Sequence, residues 1–213
     1  MTSFTRFSGF AAISLCAALS VTAALAADNT VSADQILNAL KPKTLTRGLS
    51  MTSAPQVDPA LKAKEVTFLD SVRNRNTRSL SLGEREQIAE IASTKPKIDL
   101  EIQFDYNSAD ISKTSLTAVQ ELGKALSNPS LKGSTFVVAG HTDAVGGEPY
   151  NLDLSERRAD TIKHYLVEKY GLAGSDLVTV GYGKTKLKDI SNPTSPINRR
   201  VQVVNMDTKT AAQ

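Results

Sequence analysis

The sequence predicts an α+β fold, a two-layer α/β sandwich with two helices on one face of a four-stranded mixed sheet. Between residues 98 and 206, stretches with the alternating apolar pattern of strands are interleaved with stretches of helical periodicity. These stretches follow one another in the order β-α-β-α-β-β. The chain has 213 residues, which is enough for one such domain with additional segments before and after it.

The first 26 residues are expected to form a cleaved secretory signal. Arg6 precedes an apolar run over about residues 10–25, and Ala24 and Ala26 supply small residues for cleavage. That run contains polar residues and is shorter than the roughly 20 residues of a bilayer-spanning helix. No later stretch is as apolar, so we expect a periplasmic mature chain without a transmembrane segment. Association with the outer membrane is left open.

Composition excludes several classes of function. The net charge is only +3, aromatic residues make up 5% of the chain and Trp is absent, so we expect no nucleic-acid partner. A single Cys and two His exclude zinc fingers and disulfide frameworks. We expect no cofactor and no metal, and we assign His141 to structural hydrogen bonds.

Residues 27–97 are predicted to be a basic, partly helical segment. Ser32 and Gln35 have the spacing of a capping box, which predicts a short helix that Pro42 ends. Ser81 and Glu84 repeat that spacing and predict a second helix. Between them, residues 41–80 have the composition of a partly ordered linker. Its arginines are interpreted as solvated, and contact with an anionic surface is the alternative: Arg73, Arg75 and Arg78.

The domain itself, residues 98–206, begins with the alternating strand 98–104 and a polar turn at 107–110. A helix follows, with Leu116, Val119 and Leu122 on one face, and ends before Pro129. Residues 134–140 then read Ser-Thr-Phe-Val-Val-Ala-Gly, which is typical of a strand.

The second helix of the domain is predicted over residues 151–170. Its buried stripe contains Ala159, Ile162 and Leu166, and Gly171 is placed to cap its end. Residues 176–183 and 200–206 supply the last two strands, and residues 207–213 form a tail.

Three short blocks together resemble a known family. Residues 140–146 read Gly-His-Thr-Asp-Ala-Val-Gly, residues 150–160 read Tyr-Asn-Leu-Asp-Leu-Ser-Glu-Arg-Arg-Ala-Asp, and residues 198–201 read Asn-Arg-Arg-Val. In combination they resemble the OmpA C-terminal-like domain, also found in peptidoglycan-associated lipoproteins and flagellar stator proteins. Phe104-Asp105 and residues 107–109 fit the family's first strand and turn.

The resemblance implies non-covalent binding of peptidoglycan through the diaminopimelate of its stem peptide, and it implies no catalysis. The family's ligand-holding Asp and Arg correspond to Asp143 and Arg158, and Asn107, Asn151 and Leu154 match further positions of the family's site. Side-chain chemistry agrees with this assignment. The free end of diaminopimelate carries an ammonium and a carboxylate, which a fixed carboxylate and a fixed guanidinium can bind together.

Several alternatives remain open at this stage. Asp143 and Arg158 could form a plain salt bridge that fixes the loop to the helix. Arg199 and Arg200 are expected to hold carboxylates within the fold. In another class of function, the chain is a periplasmic scaffold that docks on an envelope protein complex through residues 31–97. A homodimer and a different diamino acid as ligand are also left open.

Overall fold

The computed structural model describes residues 31–42, 59–102, 104 and 108–207. The expected signal, residues 1–26, lies outside the described residues, as do the middle of the predicted linker and the tail beyond Asp207. In the part of the chain that is described, no helix has the combined length and apolar character required to traverse a bilayer.

Four strands form one mixed sheet, as predicted. They are β1 (Lys97–Leu100), β2 (Phe136–Gly140), β3 (Leu177–Gly181) and β4 (Val201–Asn205), in the spatial order β1-β4-β2-β3. β4 is antiparallel to both of its neighbours, whereas β2 and β3 are parallel. The carboxyl ends of β2 and β3 and the start of β4 therefore lie at the same edge of the sheet.

One face of the sheet is covered by α4 (Leu116–Leu126) and α5 (Glu148–Tyr170), in agreement with the prediction, and α1 (Ala33–Leu40) packs beside them. α5 begins three residues earlier than predicted, because Pro149 is accommodated in its first turn. Gly171 ends it with a φ of 63°, in the left-handed region that favours glycine.

The opposite face is covered too, which the two-layer prediction did not include. α2 (Pro59–Val72) and α3 (Leu82–Ser93) pack on the outward side chains of β2, β3 and β4. The sequence contains a signal for this layer, because all five residues of β2 are apolar or small. A strand that is apolar throughout is typical of a sheet with both faces covered.

The predicted linker is therefore wrong for residues 59–80, which form α2 and a short 3₁₀ turn. Two of its arginines also form ion pairs: Arg75 with Glu84, and Arg78, whose side chain is 56% exposed as predicted, with Asp153 on α5 at 2.8 Å between Nη2 and Oδ1. Both predicted capping boxes are confirmed, with reciprocal side-chain and backbone hydrogen bonds at the starts of α1 and α3.

Candidate functional site

The candidate site lies at the sheet edge where β2 ends and β4 begins. Gly140, the last residue of β2, is paired with Val201 on one side and with Gly181 on the other. Beyond Gly140 the loop is held by two further backbone bonds, since His141 N–H donates to the Arg200 carbonyl and Thr142 N–H to the Gly183 carbonyl. The loop from His141 to Gly147 is thus placed beside the segment that enters β4.

Asp143 is fixed in this loop by two bonds. Its Oδ2 accepts from Arg199 Nη1 at 2.7 Å, and its Oδ1 accepts from the Val145 backbone N–H at 3.1 Å. The side chain is only 11% exposed, whereas that of Arg199 is 48% exposed. A carboxylate held in this way keeps a negative charge at a fixed position close to the surface.

Arg158 is held on the facing side by an aromatic ring and a backbone carbonyl. Its guanidinium lies 4.7 Å from the centroid of the Phe104 ring, and its Nε donates to the Ser108 carbonyl at 3.3 Å. No carboxylate among the described residues forms an ion pair with it. Burial lowers the pKa of Arg158, with a further lowering from Arg199, yet an arginine remains protonated in proteins.

Arg158 and Arg199 line the same open cleft, which has a volume of about 370 Å³. The other lining residues come from the end of the first strand region and from the turn before β4: Glu101, Ile102, Phe104 and Pro196. Two guanidiniums facing one cleft provide planar donor forks suited to a carboxylate. One of them, that of Arg199, is also paired with Asp143, which lies next to the cleft without lining it.

The comparisons with known proteins cover this region of the chain. Residues 103–200 match the model of the OmpA family. Residues 103–200 are an OmpA family domain. The match includes Asp143, Arg158 and Arg199 and leaves α1, α2 and α3 outside it.

Two relatives show the extent of the likeness. The chain is 34% identical over 109 residues to Outer membrane porin F of Pseudomonas aeruginosa, covering 50% of this chain and 30% of that protein. It is 33% identical over 96 residues to Outer membrane protein A of Klebsiella pneumoniae, covering 45% of this chain and 28% of that protein. The chain therefore spans a third or less of the length of these curated relatives.

Among solved structures, the OmpA-like domain of FopA1 from Francisella tularensis is 24% identical, with a TM-score of 0.43. The alignment covers 50% of this chain and 70% of that one.

Within the OmpA family domain, the structure brings Asp143 and Arg158 to the same edge but does not pair them with each other. The plain salt bridge between them, considered as an alternative, is absent. Instead Arg199 holds Asp143, and Arg200 Nε lies 3.3 Å from Asp99 Oδ1. The expectation that these two arginines hold carboxylates within the fold is therefore confirmed, with Arg199 also facing the cleft.

The other predicted residues of the domain have different surroundings. Asn151 is 2% exposed, and its side-chain amide donates to the carbonyls of Val145 and Gly147, so it fixes the loop that carries Asp143. Leu154 is buried and does not line the cleft. Asn107 lies outside the described residues.

Sequence reasoning missed two parts of the cleft, the Phe104 ring beneath Arg158 and the Arg199 guanidinium. Arg199 could have been found from strand pairing. In an antiparallel pair, the residues after the end of one strand lie beside those before the start of the other. If β2 and β4 are neighbours, the loop carrying Asp143 must meet the segment carrying Arg199. No sequence pattern indicates the contact between Arg158 and Phe104.

Proposed function

We propose that this chain binds peptidoglycan non-covalently through the diaminopimelate of the stem peptide, and that it anchors or organises the cell envelope in this way. The observation that carries the proposal is the Arg158 guanidinium, which lacks a carboxylate partner among the described residues and faces an open cleft beside the Asp143–Arg199 pair. A half-buried cation that forms no ion pair favours an anionic ligand.

The two charges of the ligand would be bound at different places. The free carboxylate of diaminopimelate meets the planar fork of Arg158, which can donate to both of its oxygens. The ammonium on the same carbon approaches Asp143, whose orientation is set by Arg199 Nη1 and the Val145 N–H. Stacking on Phe104 fixes the plane of the Arg158 guanidinium before the ligand arrives, which reduces the conformational entropy lost on binding.

The remaining predicted residues have supporting roles in this proposal. Asn151 acts indirectly, by holding the loop on which Asp143 is mounted. Leu154 lies one turn before Arg158 on α5, and its buried side chain anchors that turn to the core. Asn107 is proposed as a further polar contact of the ligand.

The proposal places the chain in the periplasm, following export, with the peptidoglycan as its partner. The names of the relatives, Outer membrane porin F and Outer membrane protein A, support a place in the outer envelope. No catalytic step is proposed, because binding a zwitterion by fixed opposite charges requires no proton transfer or nucleophile.

A pull-down with purified sacculi tests the proposal on the full exported chain. Arg158→Ala and Asp143→Asn should each lower sacculus affinity by a factor of roughly 30 or more, since truncating one partner of a desolvated charge contact costs about 2–5 kcal/mol. The matched control is Arg157→Ala, because Arg157 is the neighbour of Arg158 on α5 but pairs with Asp153 and does not line the cleft. If sacculi retained Arg158→Ala and Arg157→Ala as well as they retain the parent protein, the site would be ruled out.

The choice of ligand is tested by titration with two stem peptides. One contains diaminopimelate and the other contains lysine, which lacks the terminal carboxylate. When the lysine peptide is bound, Arg158 has no carboxylate partner. The affinity for the lysine peptide should therefore be lower than that for the diaminopimelate peptide by a factor of about 10 or more. Equal affinity for the two peptides would show that the carboxylate is not what the cleft recognises.

A further inference from the structure

The two layers that cover opposite faces of the sheet are joined around its edge by a buried ion pair. Glu156 of α5 and Arg85 of α3 approach to 2.5 Å between Oε1 and Nη2, and their side chains are 7% and 8% exposed. α3 lies outside the OmpA family domain, whereas α5 lies within it and carries Arg158. The pair therefore connects a layer beyond the family match to the helix of the proposed ligand site.

Gly181, the last residue of β3, leaves the space that this contact requires. A Cβ at position 181 would lie 2.5 Å from Glu156 Cγ and 2.7 Å from the Glu156 backbone nitrogen. Atoms in a packed interior do not approach this closely, so a larger residue would push α5 away from the strand. β3 is the outermost strand on its side of the sheet, and the glycine at its end lets the Glu156 carboxylate reach α3 on the other face.

The Arg85 guanidinium has a fixed orientation on that face. Its Nε donates to the Leu80 carbonyl at 3.1 Å, and its Nη1 donates to the Gly181 carbonyl at 3.0 Å. The planar fork is thus bound through three nitrogens, with Nη2 directed at Glu156. Because the partners of Nε and Nη1 are backbone atoms just before α3 and at the end of β3, Arg85 holds Glu156 at a set place relative to the sheet.

A second ion pair connects the same half of α5 to the turn before α3. Arg78 Nη2 lies 2.8 Å from Asp153 Oδ1, and the two side chains are 56% and 47% exposed, so solvent screens their attraction. The Arg85–Glu156 pair is screened much less, and the cost of burying its two charges is offset only when their geometry is closely matched. The position of α5 therefore depends on Arg85 more than on Arg78.

We infer that Arg85 is a positioning residue of the proposed ligand site and that it sets the place of Arg158 through Glu156. The inference rests on the proposed function, in which Arg158 binds the carboxylate of diaminopimelate. Glu156 and Arg158 are two residues apart on one helix, so a displacement of Glu156 is transmitted to Arg158. A shift of about 1 Å is enough to misalign the fork of Arg158 with the two oxygens of a carboxylate.

The first test observes Arg158 itself and requires no ligand. The NMR resonance of the Arg158 Nε–H group is sensitive to its hydrogen bond with the Ser108 carbonyl and to the ring of Phe104. Arg85→Lys keeps a positive charge opposite Glu156 but lacks the planar fork. We expect this substitution to shift the Arg158 resonance, because α5 moves when the fork is lost.

Lys95→Met is the matched control for this test. Lys95 follows α3, is 9% exposed and pairs with Glu65 of α2 at 2.9 Å, so this ion pair lies within one layer and does not reach α5. Lys95→Met should lower the unfolding free energy and leave the Arg158 resonance in place. An Arg158 resonance that is the same in Arg85→Lys as in the parent would overturn the inference, whatever ligand the protein binds.

The second test is titration of the full exported chain with the diaminopimelate stem peptide, under conditions in which circular dichroism shows each variant to be folded. Arg85→Lys should lower the affinity about tenfold, and Lys95→Met should bind as the parent does. A residue with a structural role alone would change the unfolding free energy but not the affinity of the folded protein. In the Arg158→Ala background, Arg85→Lys should cause no further loss, because it acts through Arg158.

The outcomes separate the inference from the proposed function. If Arg158→Ala binds the peptide as well as the parent, the proposed function fails. If Arg158→Ala loses affinity and Arg85→Lys keeps it, only the role of Arg85 is wrong.

Glu156→Asp tests the same contact from the other side, should Arg85→Lys not fold. It keeps the negative charge but is one methylene shorter, so α5 must move or the bond to Arg85 must break. We expect a shifted Arg158 resonance and an affinity for the peptide about tenfold lower, as for Arg85→Lys. A Glu156→Asp variant with the resonance and the affinity of the parent would also overturn the inference.

Discussion

Arg199 Nη1 lies 2.7 Å from Asp143 Oδ2, although the two residues are 56 positions apart in the chain. The pairing of β2 with β4 produces this proximity, because it sets the loop after β2 against the segment before β4. As a result, the orientation of the Asp143 carboxylate depends on a residue that also faces the cleft. Arg199 is therefore part of the proposed binding site as well as of the fold.

Substituting Arg199→Ala should affect stability slightly and sacculus binding strongly. The Arg199 side chain is 48% exposed, so solvent screening limits the loss of unfolding free energy to about 1 kcal/mol. Asp143 would lose one of its two fixed bonds and its preferred orientation, and sacculus retention should fall about tenfold. Urea unfolding and a sacculus pull-down measure the two effects. Binding equal to that of the parent would show that Arg199 does not position Asp143.

Local features of the fold could be predicted from sequence, whereas long-range ones could not. The capping boxes at Ser32 and Ser81 were found because each depends on residues three positions apart. The Asp143–Arg199 pair was missed because it depends on which strands are neighbours. α2 was missed because its helical hydrophobic periodicity is weak and its apolar residues lie among Lys, Glu and Thr.

Protonation of His141 should destabilise the fold at mildly acidic pH. Burial, together with the charge of Arg200, lowers the pKa of His141 from 6.5 to about 3. The unfolded chain therefore binds a proton below about pH 6.5 that the folded chain does not bind until about pH 3, and stability is lost as the pH falls through this interval. Between pH 6.5 and 5 the unfolding free energy should drop by about 1.5 kcal/mol from this residue.

Urea unfolding at several pH values measures this dependence, with His141→Gln as the comparison. The variant has no ionisable group at position 141, so its stability should change less than that of the parent across the same interval. Parallel stability curves for the two proteins would contradict a buried, neutral His141.

The N-terminal helix α1 should be required for the stability of the domain, although it lies outside the family match. Leu40 has no exposed surface and packs in the same core as α4 and α5, and the Leu40 carbonyl accepts from Asn205 Nδ2. We expect Leu40→Ala to lower the unfolding free energy by about 2–5 kcal/mol. Leu61→Ala, at a position on α2 that is 56% exposed, should change it by less than about 0.5 kcal/mol.

Deleting residues before 98 would expose the core surfaces that α1 and α3 cover, so loss of function in such a truncation would not identify a docking segment. A stability of Leu40→Ala equal to that of the parent in urea unfolding would show that α1 is dispensable.

Gly140 should be essential for the position of Arg158. A Cβ at this position would overlap the backbone carbonyl of Ser155, because α5 crosses the end of β2 without space for a side chain. Gly140→Ala must therefore push α5 away from the sheet, and with it Arg158, which lies one turn beyond Ser155. We expect a loss of about 1–3 kcal/mol in unfolding free energy and reduced sacculus binding, measured by urea unfolding and pull-down.

The matched control is Gly83→Ala near the start of α3, where a Cβ would meet nothing within 4 Å. There the substitution should stabilise the protein by up to about 1 kcal/mol, since alanine loses less backbone entropy than glycine in a helix. The two substitutions add the same methyl group. Changes of opposite sign in the unfolding free energy would therefore isolate the steric effect at Gly140. If Gly140→Ala retained both stability and sacculus binding, the close contact between β2 and α5 would not be what positions Arg158.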